Sequence, residues 1–449
     1  MVPGGPAKLS SSRLAWFALP QVPHGFALLP VVNYVPGFYS DHLGMALALV
    51  GVVLVLTRLT DIVTDPLIGA WTDNARTRWG RRKPFIVAGL PILMAATWFV
   101  FVPPGPVGAT YLFLALFVMY VGFDLVDIPY SAWGAELSND YDERSRIQAW
   151  KGAANSLGSV VTLSVPVIMQ ALGHNDIAQI MMVMALCFLI LQPTCFALAL
   201  WKVPEPPEER LPAPKQTLVQ RWKLLLTNRP LLHLSAALVL LVTGMAIGAT
   251  LNMIVFKHVI GQADYFAPAV LVQNVVAILF IPFWLKVAGA LGKHRAVAIA
   301  ALTIGAFSAS TILAGPGDGW YLAAVIVGIG AAMGGGFALI QAMIADIVDR
   351  DLLATGEERT GSFIAAIAIA TKFAVVFGVL LGTAIPGLAG FQPSDPAHDP
   401  QALLVLKAVY AFVTPLLAIP AAWILWRYPL GRTEQQALRR EIQARASAA

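Results

Sequence analysis

The stretch Thr57–Gly69, TRLTDIVTDPLIG, places an arginine and two aspartates inside a long apolar run. Arg58, Asp61 and Asp65 are spaced by three and four residues, and a rotation of about 100° per residue puts them on one face of a helix. An ionised side chain near the centre of a bilayer costs at least ~2.5 kcal/mol. The stripe is therefore expected to face the interior of a helical bundle or a water-filled cavity, and not lipid.

The composition of the whole chain indicates that lipid is the solvent for most of it. Of the 449 residues, 58% are hydrophobic and only 12% are charged, and the mean hydropathy is +0.71. The charged residues are too few to cover a water-soluble core of that size, so we predict a polytopic membrane protein. The net charge of +5 does not indicate a nucleic-acid partner, because lysine and arginine recur between the apolar runs. Cys187 and Cys195 share one apolar run and predict neither a disulfide nor a metal site.

Twelve apolar segments are long enough to cross a bilayer, for which about 20 residues are required. They lie near residues 14–39, 43–72, 84–103, 110–134, 148–172, 177–201, 230–259, 264–288, 296–314, 320–345, 362–387 and 402–427. Residues 202–229 are rich in proline and in charged side chains, and this composition predicts a cytoplasmic linker between two halves. The predicted fold class is an all-α membrane protein of twelve transmembrane helices. The first six helices form an N-terminal bundle, residues 1–201, which contains Arg58, Asp61 and Asp65. The other six form a C-terminal bundle, residues 230–427, which precedes a cytoplasmic tail, residues 428–449.

Basic residues fall in alternate loops. The turn after the second segment, GAWTDNARTRWGRRKP, is basic, whereas the loops at 103–108, 173–176 and 315–319 contain no lysine or arginine. The positive-inside rule therefore predicts that both termini are cytoplasmic. A glycine-containing basic turn also follows the eighth segment, and repeated halves are typical of secondary transporters, although short basic turns occur in many polytopic proteins.

A second pair of intramembrane carboxylates lies in the fourth segment. Asp124 and Asp127 are three residues apart on one helical face, just before Pro129. If this helix meets the second one, four carboxylates gather around Arg58, and protons, a metal cation or a cationic substrate must neutralise them. We interpret the group as a coupling-ion site. The alternative is that Arg58 pairs permanently with Asp61 while the other carboxylates cap helices or bind water.

The second half of the chain also contains charged residues in or next to its apolar segments. Lys372 lies inside the eleventh segment and needs an acidic partner or a cavity, and the carboxylates of the first half are its expected partners. Asp346 and Asp349 begin residues 346–361, a predicted cytoplasmic loop whose aspartates bridge to basic turns and hold an inward gate shut. Asp73 is expected to hold the basic turn that follows it.

The motifs taken together resemble the glycoside, pentoside and hexuronide:cation symporters of the major facilitator superfamily. The resemblance follows the whole chain in order, through RLTDIVTDPLIGAWTDNARTRWGRRKPFI, DLVDIPYSAWGAEL, ERSRIQAWK, ADIVDRDLLATGEERTGSFIA and the segment that ends in TKFAVVFG. It implies the major facilitator fold and cation-coupled symport of a sugar or glycoside by alternating access. It also implies a monomer in a bacterial inner membrane, with no cofactor, no enzymatic activity and no nucleic-acid partner.

The resemblance also implies roles for individual residues. The coupling-cation set is Asp61, Thr64, Asp65 and Asp124, with Arg58 and Lys372 tuning its charge. Asp124 stands where the family has a threonine that helps to hold sodium, so the coupling ion is H+ or Na+. The substrate set is Asp127, His24, Tyr130 and Lys151. The gating and structural set is Asp73, Gly80, Arg81, Arg82, Asp346, Asp349 and Arg359.

Two departures from the family's pattern concern the substrate. The family's first-helix aspartate, which grips the sugar, falls near Gly25, beside His24, and its stacking tryptophan falls on Ser131. Both changes argue against a galactoside. They leave open a carrier of an amphiphile such as a lysolipid.

A further alternative is a membrane prenyltransferase in which Asp61 and Asp65 bind magnesium and a diphosphate. This alternative is less favoured, because Asp124 and Asp127 lie within a helix that offers no set of basic residues to grip a diphosphate.

Overall fold

The computed structural model describes residues 9–74, 77–138, 141–205, 227–355, 360–395 and 397–430, and its regular elements in these ranges are helices. The chain divides into two units. The N-terminal unit comprises residues 1–210 with 392–398, and the C-terminal unit comprises residues 211–391 with 399–449. Most of the predicted linker (206–226) and of the tail (431–449) lies outside the described residues.

The helices of the N-terminal unit reproduce the six predicted segments, with one division. They are α1 (Ser11–Ala18), α2 (Gln21–Asn33), α3 (Leu47–Asn74), α4 (Lys83–Phe101), α5 (Ala109–Glu136), α6 (Tyr141–Ala171) and α7 (Ile177–Lys202). The prediction of one continuous helix over residues 14–39 was wrong. Pro20 separates α1 from α2, and a short helical turn at Val35–Gly37 leads into a π-helix at Phe38–His42. Proline has no N–H to donate and its ring clashes with the preceding turn, which explains these breaks.

Helix α3 contains the stretch Thr57–Gly69 and has two contrasting faces. Leu56, Val63 and Leu67 on its outer face are 48%, 60% and 63% exposed, whereas Asp61 is 2% exposed. Apolar side chains left exposed on a transmembrane helix are suited to lipid, and the aspartate faces inward, as the helical spacing predicted.

Helix α5 packs against both α3 and α4. Its contact with α4 is close because a Cβ atom on Gly122 would lie 2.7 Å from the backbone nitrogen of Leu93. Ile68 of α3, Phe85 of α4 and Leu125 of α5 form a buried apolar cluster among these three helices. This packing fixes α5 beside α3 and brings their aspartates into range of one another.

The helices of the C-terminal unit are α8 (Arg229–His258), α9 (Phe266–Leu279), α10 (Ile281–Leu291), α11 (Lys293–Ser310), α12 (Gly319–Thr355), α13 (Thr360–Leu388) and α14 (Pro400–Trp426). The predicted helix over residues 264–288 is divided into α9 and α10, and the two parts are bent by 46°. Pro282 lies at the start of α10, where its missing N–H and its ring account for the bend.

The prediction of a loop over residues 346–361 was wrong for the residues that the structure describes there. Helix α12 continues to Thr355, so Asp346 and Asp349 belong to its last turns. No glycine or proline occurs between Phe337 and Thr355 to end the helix.

Within the described ranges, eleven helices are long and apolar enough to cross a membrane, or twelve if the bent pair α9 and α10 counts as one span. The predicted fold class, an all-α membrane protein, is confirmed.

Candidate functional site

Three aspartates from two helices converge in the N-terminal unit. Asp61 and Asp65 of α3 and Asp124 of α5 each offer a carboxylate oxygen, and these oxygens all lie within 4.8 Å of one another. Asp61 and Asp124 are buried, at 2% and 6% exposure, and Asp65 is half-buried. Oxygens at this spacing fit around one small cation, because metal–oxygen distances near 2.4 Å allow two ligands about 4.8 Å apart. The three carboxylates were all among the predicted cation ligands.

Arg58 is held on one side of this carboxylate cluster. Its Nη1 lies 3.3 Å from Oδ2 of Asp61, and the charges of Asp61 and Asp124 both act on it. The guanidinium carbon lies 3.8 Å from the centre of the Tyr120 ring, a cation–π contact from α5. Tyr120 was not predicted, because an aromatic residue in an apolar run has no signal that separates it from packing.

Thr64, the fourth predicted cation ligand, lies on α3 beside the cluster. Its hydroxyl donates to the carbonyl of Thr60 at 3.2 Å. This bond is within the helix and uses the donor of the hydroxyl, so its oxygen lone pairs remain suited to a cation.

A second group of polar side chains begins one turn further along α5. Nε2 of His24 on α2 lies 3.5 Å from Oδ1 of Asp127, and Asp127 is the more accessible partner, at 34% against 6% exposure. Asp127 therefore pairs with a residue of α2, and the group of three carboxylates is formed without it. Of the four carboxylates that were predicted to gather, three form the cluster and the fourth, Asp127, pairs with His24.

Lys151 of α6 joins this second group. Its Nζ donates to the hydroxyl of Ser131 at 3.2 Å and lies 4.5 Å from the centre of the Tyr130 ring, and its charge acts on Asp127. Tyr130 is buried and donates its hydroxyl to the carbonyl of Phe17 at 2.7 Å. The ammonium group of Lys151 contacts the ring face of Tyr130. The hydroxyl of Tyr130 is already hydrogen-bonded to Phe17. The structure thus assembles all four predicted substrate residues.

Close packing of α2 against α6 brings these residues together. A Cβ atom on Gly158 of α6 would collide with the carbonyl oxygen of Val22, so only glycine permits the approach. On the far side of His24, Gln192 of α7 is fully buried, and its amide nitrogen lies 3.3 Å from Nδ1 of the histidine. Gln192 was not predicted, since a neutral amide in an apolar segment does not indicate its partner.

The basic turn between α3 and α4 is held by two glutamates. Arg81 and Arg82 each donate from Nη2 to Oε1 of Glu136 at 2.7 Å, and Arg82 is only 3% exposed. The backbone N–H groups of the same two arginines donate to Oε1 of Glu205 at 2.8 and 2.7 Å. Gly80 precedes them with φ +108°, and a Cβ atom there would collide with the Glu205 carboxylate. The turn therefore joins α4, α5 and the residues that follow α7.

The remaining predicted residues belong mainly to the C-terminal unit. Nζ of Lys293 on α11 lies 2.6 Å from Oδ2 of Asp346, so this aspartate does bridge to a basic turn of its own unit. Asp349 is half-buried near the end of α12, and Lys372 is half-buried within α13. Arg359 and the side chain of Asp73 lie outside the described parts of the chain.

Comparison with known proteins finds similar chains among transporters. The model of a family described as MFS/sugar transport protein matches residues 16–432. The glucuronide carrier protein homolog of Escherichia coli (strain K12) is 26% identical, over 94% of this chain and 93% of that relative. The sodium-dependent lysophosphatidylcholine symporter 1 of Xenopus tropicalis is 23% identical, over 98% of this chain and 91% of that relative. The crystal structure of the nucleoside transporter NupG matches with a TM-score of 0.65 at 12% identity, over 93% of this chain and 99% of that one, which shows a common fold.

Proposed function

The chain belongs to the family of MFS/sugar transport proteins, and from that membership we propose that it is a secondary transporter that moves a sugar or glycoside together with a cation. The observation that carries the proposal is the cluster of Asp61, Asp65 and Asp124, whose carboxylate oxygens lie within 4.8 Å of one another on two transmembrane helices. The family consists of transporters, so the prenyltransferase alternative is dropped.

The charge of the cluster supports a cation as the coupling ion. The oxygens of the three carboxylates lie close together, and Arg58 forms an ion pair with one of them, Asp61. Like charges at this distance repel strongly where little water is present. A proton shared among the carboxylates, or a Na+ ion among their oxygens, relieves this repulsion.

The group around Asp127 supports a polar substrate next to the cation. Asp127 offers acceptors for sugar hydroxyls and Lys151 offers an ammonium donor, while His24 faces the carboxylate of Asp127. The partial exposure of Asp127, 34%, leaves its carboxylate accessible to a ligand. Because α5 carries both Asp124 and Asp127, a cation and a sugar bound at these two places interact through one helix.

Coupling then follows from the charge of the site. The empty cluster is negative and favours the conformation that lets a cation in, whereas the loaded cluster is neutralised and lets the transporter change its direction of opening. In this proposal Lys372 tunes the cluster from the C-terminal half. The gating residues Arg81, Arg82, Asp346 and Asp349, together with Gly80, Asp73 and Arg359, stabilise the form that is closed to the cytoplasm.

The chain is an integral membrane protein, and we further propose a bacterial inner membrane, with both termini cytoplasmic and the monomer as the working form. The basic turn at Arg81 and Arg82 and the basic turn at Lys293 support this orientation, since cytoplasmic loops are enriched in lysine and arginine.

Proteoliposomes test the proposal directly. Purified protein is first screened by thermal shift against glucosides, galactosides, xylosides and glucuronides, with and without Na+, at pH 5.5 and 7.5. Uptake of the stabilising glycoside is then measured under an imposed pH gradient or an imposed Na+ gradient. We expect one of the two gradients to drive accumulation in the wild type and not in Asp61→Asn. If neither the pH gradient nor the Na+ gradient changes uptake, cation coupling is contradicted.

A lysolipid carrier is the second candidate, supported by the similarity to a lysophosphatidylcholine symporter along almost the whole chain and by Ser131, a small residue where sugar carriers of the family have an aromatic ring. The same vesicles distinguish the two. Competition of uptake by lysophosphatidylcholine, and not by glycosides, favours the lysolipid carrier.

A further inference from the structure

Gln192 is a fully buried amide inside an apolar stretch of α7, CFLILQPTCF. A buried amide without a hydrogen-bond partner is destabilising, so its position calls for a specific contact. Its Nε2 lies 3.3 Å from Nδ1 of His24, which is itself only 6% exposed. The contact joins α7 to the pair formed by His24 and Asp127.

The proton positions on His24 follow from its two neighbours. Nε2 of the ring faces Oδ1 of Asp127 at 3.5 Å, an ion-pair distance at which no hydrogen bond is formed. Because a carboxylate has no donor, this contact favours a hydrogen on Nε2. If the ring is neutral, Nδ1 then has a lone pair and needs a donor. The amide nitrogen of Gln192 is that donor. An amide oxygen in its place would require a hydrogen on Nδ1 as well, and the ring would become an imidazolium.

Groups from three helices face the ring of His24. From α5, Asp127 faces Nε2 and Phe123 packs on the ring, with 4.4 Å between ring centres. From α6, the ammonium group of Lys151 already acts on Asp127. From α7, Gln192 contributes a neutral amide. A second positive charge on His24 would bind Asp127 as an ion pair and compete with any ligand for that carboxylate.

We propose that Gln192 is a positioning residue of the substrate site: it holds His24 as the neutral Nε2–H tautomer, which orients the carboxylate of Asp127 and leaves it able to accept hydroxyl groups. The inference rests on the proposed function of the His24–Asp127 pair in substrate binding. It assigns a role to α7, from which no substrate residue was predicted.

Nitrogen NMR of the protein labelled with 15N-histidine reads the tautomer without any ligand. The chain has seven histidines, and the signals of His24 are identified by their loss in His24→Asn. In the wild type at pH 7.5 we expect one protonated and one unprotonated ring nitrogen, with the hydrogen on Nε2. A hydrogen on Nδ1, or on both nitrogens, overturns the proposal.

Two substitutions test the part played by Gln192. Gln192→Met keeps the length of the side chain but has no N–H donor. We expect the combined population of the Nδ1–H tautomer and the doubly protonated ring of His24 to rise about three- to tenfold, which is the effect of one hydrogen bond. Gln192→Glu only accepts, and we expect it to favour the doubly protonated ring. Gln179→Met, which changes an exposed glutamine of the same helix, is the control and should leave the His24 signals unchanged. Unchanged His24 signals in both Gln192 variants overturn the proposal.

Transport then separates this inference from the function on which it rests. For the glycoside found in the thermal-shift screen, Gln192→Met is expected to raise KM more at pH 5.5 than at pH 7.5, with little change in the maximal rate. In a His24→Asn background the same substitution should have no further effect, since Gln192 acts through the histidine. A further rise of KM in that background contradicts the inference. Failure of the wild type to transport contradicts the proposed function, whereas the NMR result is read independently of transport.

Discussion

The carboxylates of Asp61 and Asp124 come from different helices, yet their oxygens lie within 4.8 Å of each other. Both side chains are buried, and Arg58 contacts the cluster through Asp61. Neither α3 nor α5 makes this arrangement by itself. The pairing of α3 with α5 therefore creates the negative site on which the proposed cation coupling depends.

Removing either carboxylate is expected to weaken cation binding. A hydrogen bond or contact to a charged group contributes roughly 1.5–3 kcal/mol, which is a factor of about 10 to 150 in affinity. In Asp61→Asn and Asp124→Asn, the cation concentration that gives half-maximal thermal stabilisation should rise by this factor. Asp176→Asn is the matched control, because Asp176 caps α7 at an exposed position. An unchanged midpoint in both cluster variants would remove these residues from the cation site.

Asp127→Asn is expected to separate substrate binding from cation binding. Asp127 is engaged with His24 and Lys151 and lies outside the cluster of three carboxylates. The variant should lose about tenfold or more in glycoside affinity, since a charged acceptor becomes a neutral amide. Stabilisation by the cation alone should remain within about twofold of the wild type. Loss of both effects together would mean that the two groups form a single site.

Arg58 is expected to be needed for stability because Asp61 is buried beside it. Their side chains are 19% and 3% exposed, and removing one partner of a buried ion pair typically costs about 3–5 kcal/mol. Arg58→Gln should lower the melting temperature, and the double variant Arg58→Gln with Asp61→Asn should recover part of the loss. Tyr120→Phe keeps the ring under the guanidinium but removes the hydrogen bond of its hydroxyl to Arg58, and it should lower the melting temperature less than Arg58→Gln does. No recovery in the double variant would argue against a pairing of Arg58 with Asp61.

Gly80→Ala is expected to disturb the basic turn more than a comparable change elsewhere. The residue has φ +108°, and an added Cβ would meet the carboxylate of Glu205. Backbone strain of this kind costs about 1–3 kcal/mol, and the collision adds to it. Gly173→Ala is the control, with φ +84° and no atom within 4 Å of the added Cβ. Thermal unfolding compares the two, and an equal loss in both would show that the contact with Glu205 contributes nothing.

Lys293 and Asp346 are expected to act as a pair in the C-terminal unit. They are 2.6 Å apart, with side-chain exposures of 21% and 7%. Asp346→Ala and Lys293→Ala should each destabilise the protein or change its rate of uptake, and the double alanine variant should be less affected than the sum of the two. The double-mutant cycle measures this difference. Strictly additive effects would exclude a coupling between the two side chains.

The parts of this site that share a helix are predictable from sequence, and the parts that join helices are much less so. The face formed by Arg58, Asp61 and Asp65 follows from spacing alone, because a helix fixes the rotation between residues. The separation of Asp127 from the cluster depends on His24 and Lys151, which come from α2 and α6. Tyr120 and Gln192 are uncharged and lie in apolar runs, where sequence does not distinguish a partner from packing.

Local chemistry explains the differences in helix boundaries. Pro20 and Pro282 interrupt stretches that hydropathy alone reads as continuous, since hydropathy does not register a missing N–H. Asp346 and Asp349 looked like loop residues because they are charged, yet charged residues continue a helix readily where it emerges from the apolar core. Glu205 lies at the start of a proline-rich segment, and nothing local indicates that its carboxylate accepts two backbone N–H groups from the turn before α4.

Asp124 and Asp127 occupy successive turns of the single continuous helix α5, only about 4.5 Å apart along its axis. A cation at Asp124 and a glycoside at Asp127 would contact the same helix one turn apart, so we expect their binding to be coupled. If the cation increases the affinity for the glycoside by some factor, the glycoside increases the affinity for the cation by the same factor. Titrating either ligand in the presence of the other must therefore yield one coupling constant, whichever of the two is varied.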